Sequence, residues 1–285
     1  MRPPLFIYMV AAILLSICQL VPSHGATVVM LGDNDPVQGE IFRVSVVSGS
    51  ELKDGKIRFG TTTVSLRCEG NRAHGFFGFD LSEPPGLKKV EIILSHGKKE
   101  EIVIRRVKLM NAHFPVERLD GLSDSFVNPG RDDMRRIREE NNILRSIWKS
   151  SKEKIYWDDP FSPPFTGFSG KGFGKKRVIN GEKRNPHTGI DSRAKRGTPV
   201  GVINGGIVRL ARDLFFSGFS VVVDHGGGLF SMYFHLDEIS VKEGDTIGKG
   251  AIIGIVGSSG RATGPHLHLG VRLVNMRVNP MDLLK

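Results

Sequence analysis

Most of this chain is divided into short apolar runs that end at glycine, proline, aspartate or asparagine. Between Ala26 and about Met110 these runs are rich in Val, Ile, Phe and Thr. They read ATVVML, EIFRVSVVSG, KIRFGTTTVSLRC, GFFGFDLS, LKKVEIILSHG and EEIVIRRVKL. β-branched and aromatic residues favour strands, and turn residues at such short intervals favour antiparallel connections. The first part of the chain therefore predicts a small all-β sandwich.

The same pattern returns from about Thr166 to the end of the chain. Its runs are GTPVGVINGGIVRLA, SVVVDHGGGLFSMYFHL, GDTIGKGAIIGIVG and HLHLGVRLV. Glycine is frequent between them, and its conformational freedom suits the tight turns that antiparallel strands require. Residues 166–285 therefore predict a second β domain.

The region between these two parts has a different character. The stretch RDDMRRIREENNILRSIWKSS contains neither Gly nor Pro and follows Asn128-Pro129-Gly130. Its apolar residues recur near helical spacing, which predicts one helix of about 15–20 residues. The following YWDDPFSPPFTGFSGKGFG predicts an ordered connector whose rings pack on the next domain. The predicted chain is mainly β: an immunoglobulin-like β-sandwich at 26–112, a helix and connector at 113–165, and an antiparallel β domain at 166–285.

The N-terminus has the features of an export signal. Arg2 precedes an apolar run from Leu5 to about Leu20, and the small residues Ser23 and Gly25 follow. This order predicts a signal peptide at residues 1–25 and localisation in the periplasm, the cell envelope or the medium. The alternative is an uncleaved anchor, but the apolar run is short against the ~20 residues that span a bilayer. We expect contact with a membrane only during export.

The charge of the chain favours anionic partners without selecting one. The formal net charge is +10. For an exported protein, anionic partners include polymers of the cell envelope as well as nucleic acid. An ordinary solvated surface explains the charge equally well, and we expect no nucleic-acid partner.

Histidines are concentrated at the C-terminal end. Five of the nine histidines lie in the last 100 residues, at positions 187, 225, 235, 266 and 268. Imidazole binds zinc through a neutral nitrogen, and a catalytic zinc normally has three protein ligands and one open position. The clustering therefore suggests a metal site.

Three short motifs carry most of these histidines. In PHTGID, His187 lies four residues before Asp191, and the neighbouring Pro and Gly favour a loop or the lip of a strand over a helix. In GPHLHLGV, His266 and His268 alternate around a leucine, so that on a strand both rings point to the same face. In SMYFHLDEI, His235 ends a strand-like run and could face the same groove. Each histidine alone is equally consistent with an ordinary hydrogen-bonded residue.

Taken together and in this order, the motifs resemble those of the lysostaphin/LytM family of zinc endopeptidases. The marks of that family are H-x-x-x-D, an internal Tyr-x-His-Leu, and H-x-H after a Gly-Ser-x-Gly-x-x-x-Gly-Pro turn. They appear here as PHTGID (186–191), YFHL (233–236) and GSSGRATGPHLHLGV (257–271). The resemblance covers about residues 166–285 and implies a lysostaphin-type antiparallel β peptidase domain.

The resemblance also implies a role for each site residue. His187, Asp191 and His268 correspond to the ligands of one Zn²⁺, and His235 and His266 to the catalytic pair that does not bind the metal. His225 matches a recurrent position without an assigned role, and we expect it to be structural.

The implied activity is hydrolysis of peptide cross-links or stem peptides of bacterial peptidoglycan. One alternative is a non-catalytic member of the same fold that binds the cell wall as an activator or scaffold. Another is a secreted binding protein in which the N-terminal sandwich binds the target and the C-terminal domain cleaves a peptide that is not part of the cell wall. The motifs specify neither the bond that is cut nor the oligomeric state.

Overall fold

The computed structural model describes residues 27–31, 35–119, 124–151, 153–183 and 185–285. The predicted signal peptide at 1–25 lies outside the described residues. The N-terminal strands are β1 (Val28–Leu31), β2 (Ile41–Val47), β3 (Asp54–Phe59), β4 (Thr62–Ser65), β5 (Arg67–Glu69), β6 (Arg72–Gly78), β7 (Gly86–Ser95) and β8 (Glu100–Leu109). The connecting region contains β9 (Val116–Leu119), α1 (Asp124–Val127) and α2 (Arg131–Lys149). The remaining strands are β10 (Lys176–Ile179), β11 (Glu182–Lys183), β12 (Gly189–Arg193), β13 (Pro199–Gly201), β14 (Gly206–Leu214), β15 (Gly218–Gly226), β16 (Leu229–Ile239), β17 (Thr246–Ile247), β18 (Ile252–Val256), β19 (His266–Leu273) and β20 (Met276–Val278), followed by a 3-10 helix at Pro280–Asp282.

The N-terminal strands form two antiparallel sheets. In the described part of the chain, one sheet has the order β1-β2-β6-β5 and the other β4-β3-β7-β8. Their inward side chains meet in a common core, where Phe59 of β3 contacts Phe77 of β6 with ring centroids 6.4 Å apart. Ile57, Phe77 and Ile92 are fully buried there. The predicted β-sandwich is thus observed, and its immunoglobulin-like type stays a prediction.

Helix α2 agrees with the predicted helix. Its C-terminal turn buries Ile147 and Trp148, and the Trp148 ring packs edge-on against Phe230 of β16 at 5.1 Å. Met134, in the predicted apolar stripe, is exposed. The helix therefore packs on the C-terminal sheet mainly through its last turns. Among the described residues, neither helix is both long and apolar enough to cross a membrane.

The connecting region departs from prediction in two respects. Strand β9 was not predicted; it pairs in parallel with β10, from Val116 with Lys176 to Leu119 with Ile179. The rings of the connector do not pack on the second domain alone. Trp157 contacts Phe76 of the sandwich, and Phe161 contacts both Phe76 and His225. The rings fill the space between the two β units because apolar surface is available on both sides.

Strands β10 and β11 form a small sheet with β9, and strands β12 to β20 form one antiparallel sheet. Within the described residues it has nine strands, with β12-β19-β16-β15-β14-β17 as the main order. Asp191 of β12 pairs with His268 of β19, which in turn pairs with Phe234 of β16. Leu267 and Leu269, which alternate with the histidines of β19, are fully buried on the opposite face. Asp191, His266 and His268 therefore lie on one face of this sheet.

A half-buried ion pair joins the two β units. Arg277 of β20 donates from Nε and Nη2 to the Asp80 carboxylate at 2.9 and 2.6 Å, and Ser82 donates to the same group. Burial tends to raise the pKa of Asp80, but the hydrogen bonds from Arg277 and Ser82 outweigh it and lower this pKa to about 2. The folded state thus favours the ionised carboxylate.

We expect Asp80→Asn to lower the free energy of unfolding by about 2 kcal/mol at pH 7, since one pKa unit corresponds to about 1.4 kcal/mol. A carboxylate whose pKa is lowered on folding stabilises the protein above its unfolded pKa, near 4, and this contribution is lost as the pH falls towards 2. The free energies of unfolding of the parent and the variant are measured in urea at about pH 7 and about pH 2.5, above and near the lower end of this pH range. Asp35→Asn, at an exposed position, is the control. An equal loss at both pH values would contradict the ionic origin.

Candidate metal centre

Three predicted ligand residues converge on one point. The Nε2 atom of His187 lies 3.1 Å from Oδ1 of Asp191 and 2.9 Å from Nδ1 of His268. The His268 Nδ1 atom lies 2.8 Å from the same carboxylate oxygen. Within the described residues, these three side chains form a group whose donor atoms lie close enough together to hold a metal ion.

The backbone of the segment before β10 fixes the orientation of His187. Its Nδ1–H donates to the carbonyl oxygen of Gly172 at 2.9 Å, and its main chain pairs with Gly174 and Lys175. A neutral ring that donates from Nδ1 carries its lone pair on Nε2, which is the atom facing Asp191 and His268. The side chain is only 2% exposed, so that its position is set by packing as well as by hydrogen bonding.

Close packing holds His268 from two sides. The ring of Phe234 stacks on it at 5.4 Å with an interplanar angle of 6°. Gly189 approaches from β12, where a Cβ atom would lie 2.5 Å from His268 Nε2 and 2.4 Å from the Leu269 carbonyl oxygen. Only glycine allows this approach, which explains why the PHTGID motif has glycine two residues before the aspartate.

The electrostatics of this cluster suit a cation. Burial alone would raise the pKa of Asp191, but hydrogen bonds with His187 and His268 hold it far below its ordinary value. Burial lowers the pKa of His268 to about 4. At neutral pH the cluster therefore contains an ionised carboxylate and a neutral imidazole, the states that metal ligation requires. Two imidazole nitrogens and one carboxylate oxygen are a donor set that zinc accepts.

His266 and His235 lie beside this cluster. The Nδ1–H of His266 donates to the Gly264 carbonyl oxygen at 2.8 Å, and its Nε2 lies 3.7 Å from Asp191 Oδ1. The Nδ1–H of His235 donates to the Ser259 carbonyl oxygen at 2.9 Å. The centroids of the two rings are 4.8 Å apart. In both rings the carbonyl partner fixes the tautomer, which leaves Nε2 able to accept a proton.

An irregularity in β16 directs His235 into the site. The residue has a left-handed φ of 63°, and the pairing of β16 with β18 shifts register between Leu236 and Glu238. Such irregularities turn a side chain away from its regular direction. Burial, and then the charges of His268 and His266, lower the pKa of His235 to about 3. The ring is therefore neutral at physiological pH.

His225 lies outside the site and has a structural role. Its Nδ1–H donates to the Gly205 carbonyl oxygen at 2.7 Å, and its Nε2 accepts from Ser231 Oγ at 2.8 Å. Ser231 is in turn bonded to the Tyr233 hydroxyl, which accepts from the backbone N–H of Ile203. This chain satisfies polar groups that are fully buried, which agrees with the expectation of a structural histidine.

Two charged residues near the cluster were missed by the sequence analysis. Arg177 of β10 places Nη2 3.6 Å from Asp191 Oδ2. Glu117 of β9 accepts from Lys175 Nζ at 2.6 Å and lies 3.6 Å from Arg177 Nε. Neither residue belongs to a motif, and only the pairing of β9 with β10 brings them together.

The C-terminal part of the chain is similar to known peptidases. Residues 185–280 match Peptidase family M23, and this range contains all three histidine motifs. The DD-carboxypeptidase/endopeptidase Mpg of Neisseria meningitidis is 41% identical over 97 residues, or 34% of this chain and 22% of the relative. The peptidoglycan DD-endopeptidase ShyA of Vibrio cholerae is 40% identical over 96 residues, with the same two coverages. The matched segment thus spans about a fifth of the length of these relatives.

The likeness of fold extends further than the family match. The crystal structure of a Pseudomonas aeruginosa protein assigned to peptidase M23 aligns with a TM-score of 0.68 and 29% identity. The alignment covers 88% of this chain and 96% of that protein. The Pseudomonas protein therefore shares the fold of the N-terminal β unit and of the connecting region.

Proposed function

We propose, from the match of residues 185–280 to Peptidase family M23, that the protein is a zinc metalloendopeptidase that hydrolyses peptides of bacterial peptidoglycan. This match confirms the family that the motifs indicated. The observation that carries the proposal is the convergence of His187, Asp191 and His268 beside the two tautomer-fixed histidines His235 and His266.

The substrate class is proposed from the relatives. One is named a peptidoglycan DD-endopeptidase and another a DD-carboxypeptidase/endopeptidase. We extend the peptidoglycan substrate to this protein, acting on cross-links or stem peptides. Such a substrate lies outside the cytoplasm, so export through the predicted signal peptide belongs to the same proposal.

The metal ligands proposed are His187 through Nε2, His268 through Nδ1 and Asp191 through Oδ1. When bound, zinc supplies Lewis acidity that polarises a scissile carbonyl and lowers the pKa of water from near 16 to about 7. The Gly172 carbonyl orients the ring of His187, and the Phe234 ring and the close approach of Gly189 hold the ring of His268.

Proton transfer is assigned to His266 and His235. The Nε2 atom of His266 faces the cluster and lies 3.7 Å from Asp191 Oδ1. This nitrogen can take a proton from a water molecule and later return it to the leaving amine. His235 keeps Nε2 as an acceptor beside His266, with the ring centroids 4.8 Å apart, and can share the proton taken from the water. The carbonyls of Gly264 and Ser259 hold the other nitrogen of each ring as a donor, so that both rings keep Nε2 for the reaction.

The proposal is tested by digesting purified sacculi with the zinc-loaded protein and identifying the products by mass spectrometry. We expect one new amine and one new carboxylate per cut peptide, loss of digestion after removal of the metal by a chelator, and recovery on addition of zinc. A protein that binds zinc at one equivalent but leaves sacculi and soluble muropeptides intact would overturn the enzymatic proposal. That result would support a wall-binding activator or scaffold instead.

A further inference from the structure

Two cationic side chains, Lys175 and Arg177, lie at the edge of the metal centre, and the carboxylate of Glu117 lies against both. Lys175 and Arg177 flank the start of β10, and Arg177 Nη2 lies 3.6 Å from Asp191 Oδ2. Glu117 of β9 lies against both, at 2.6 Å from Lys175 Nζ and 3.6 Å from Arg177 Nε. All three side chains are half-buried, with exposures of 35% or less.

Arg177 is incompletely satisfied in this position. Its Nε atom is inaccessible to solvent, and among the described residues no acceptor lies within hydrogen-bond distance of it. Both carboxylates near the guanidinium are 3.6 Å away, whereas a guanidinium and a carboxylate that match each other form bonds of about 2.7–2.9 Å. The guanidinium therefore has unused capacity to bind a carboxylate.

The segment that supplies Glu117 lies at the edge of a small sheet. β9 is an edge strand of four residues that pairs only with β10 among the described strands. Val116 is 58% exposed, so the strand buries little apolar surface there. Addition of an extended segment to a strand edge is also the way in which many peptide ligands bind, through backbone hydrogen bonds and pockets for alternate side chains. β9 thus occupies an edge that an extended peptide could use.

We propose that Lys175 and Arg177 form a carboxylate-binding subsite for the substrate peptide, and that Glu117 fills this subsite in the absence of substrate. The inference rests on the proposed function, because it assigns a contact to a peptide that reaches the metal centre. Stem peptides of peptidoglycan carry free carboxylates, which gives the subsite a ligand of the right charge. The substrate carboxylate displaces Glu117 and gains the bidentate contact that Glu117 does not make with Arg177.

The subsite is tested by binding alone, in protein freed of metal, because zinc would itself attract a carboxylate. The probes are an N-acetylated peptide ending in D-Ala-D-Ala with a free C-terminus and the same peptide as its C-terminal amide, titrated by NMR. If Glu117 fills the subsite about nine-tenths of the time, Glu117→Gln tightens binding of the acid about tenfold and leaves the amide unchanged. Glu100→Gln, at an exposed position of β8, is the matched control and should change neither.

Two further variants identify the cations. In the Glu117→Gln background, Arg177→Gln should remove the preference for the acid over the amide. Lys175→Gln, at the more exposed of the two positions, should reduce the same preference. This variant replaces the arginine variant in the test if circular dichroism shows that Arg177→Gln does not fold. Equal tightening of acid and amide by Glu117→Gln would overturn the proposal, as would an acid preference that survives loss of the cations.

Failure of this inference and failure of the proposed function give different results. A protein that prefers the acid in the metal-free titration but does not digest sacculi when loaded with zinc retains the subsite and loses the enzymatic proposal. A protein that digests sacculi while showing no acid preference loses only the subsite.

Discussion

Replacing His268 by alanine is expected to weaken zinc binding at least about hundredfold and to abolish hydrolysis of peptidoglycan. The change removes one of three donor atoms, and loss of a group that merely supports a ligand already costs about ten- to hundredfold in affinity. It also leaves Asp191 Oδ1 without the nitrogen that lies 2.8 Å from it. Competition with a chromogenic chelator measures the affinity, and release of muropeptides measures the activity.

The control for this variant is a histidine that lies away from the site. His96→Ala removes a ring from the hairpin between β7 and β8, where it contacts Ser50 and Glu101. We expect this variant to bind one zinc with unchanged affinity. Because His268 is buried, the circular dichroism of His268→Ala is compared with that of the metal-free parent. A folded His268→Ala protein that still binds zinc tightly would show that the ligand set is wrong.

The parts of the site that sequence predicts are those encoded by local periodicity. His266 and His268 occupy alternate positions of a strand, which suffices to place both rings on one face. The ring of His187 and the carboxylate of Asp191 fall in a motif whose glycine is required by the approach to His268. These relations involve neighbours in sequence or a single strand pairing, so that short motifs retain them.

The contribution of the connecting region is not encoded in this way. Arg177 and Glu117 are brought together by a parallel pairing between segments that lie far apart in the chain, and a four-residue strand such as β9 has no pattern of its own. Trp157 was expected to pack on the second domain, but its ring contacts Phe76 of the sandwich. This contact depends on how the two β units are arranged. Short edge strands and interface rings are determined by tertiary packing, which overrides local preference.

The direction of His235 shows the same limit at the scale of one residue. Its position at the end of an apolar run predicted a strand, and β16 does include it. The left-handed φ of 63° and the register shift that follows turn the ring towards His266, and neither can be read from SMYFHLDEI. The membership of His235 in the site came from the motif resemblance, whereas the way in which it reaches the site required the structure.

Replacing His266 by alanine should separate the two roles assigned to the histidines. His266 donates to the Gly264 carbonyl and offers Nε2 to the cluster without being one of the three converging donors. We therefore expect zinc affinity to stay within about threefold of the parent while turnover falls about 10²- to 10⁴-fold, the range for loss of a general acid or base. Chelator competition and the rate of muropeptide release measure the two quantities on the same preparation.

A double variant gives the sharper test of this division. If His235 and His266 act as one proton-transfer unit, the loss in His235→Ala/His266→Ala should be much smaller than the product of the two single losses, because residues that act together are strongly non-additive. Independent roles would instead give a multiplicative loss. Loss of zinc from His266→Ala alone would place this residue among the ligands. In that case the 3.7 Å between its Nε2 and Asp191 Oδ1 would mark a fourth donor around the metal, and the proton transfers would fall to His235.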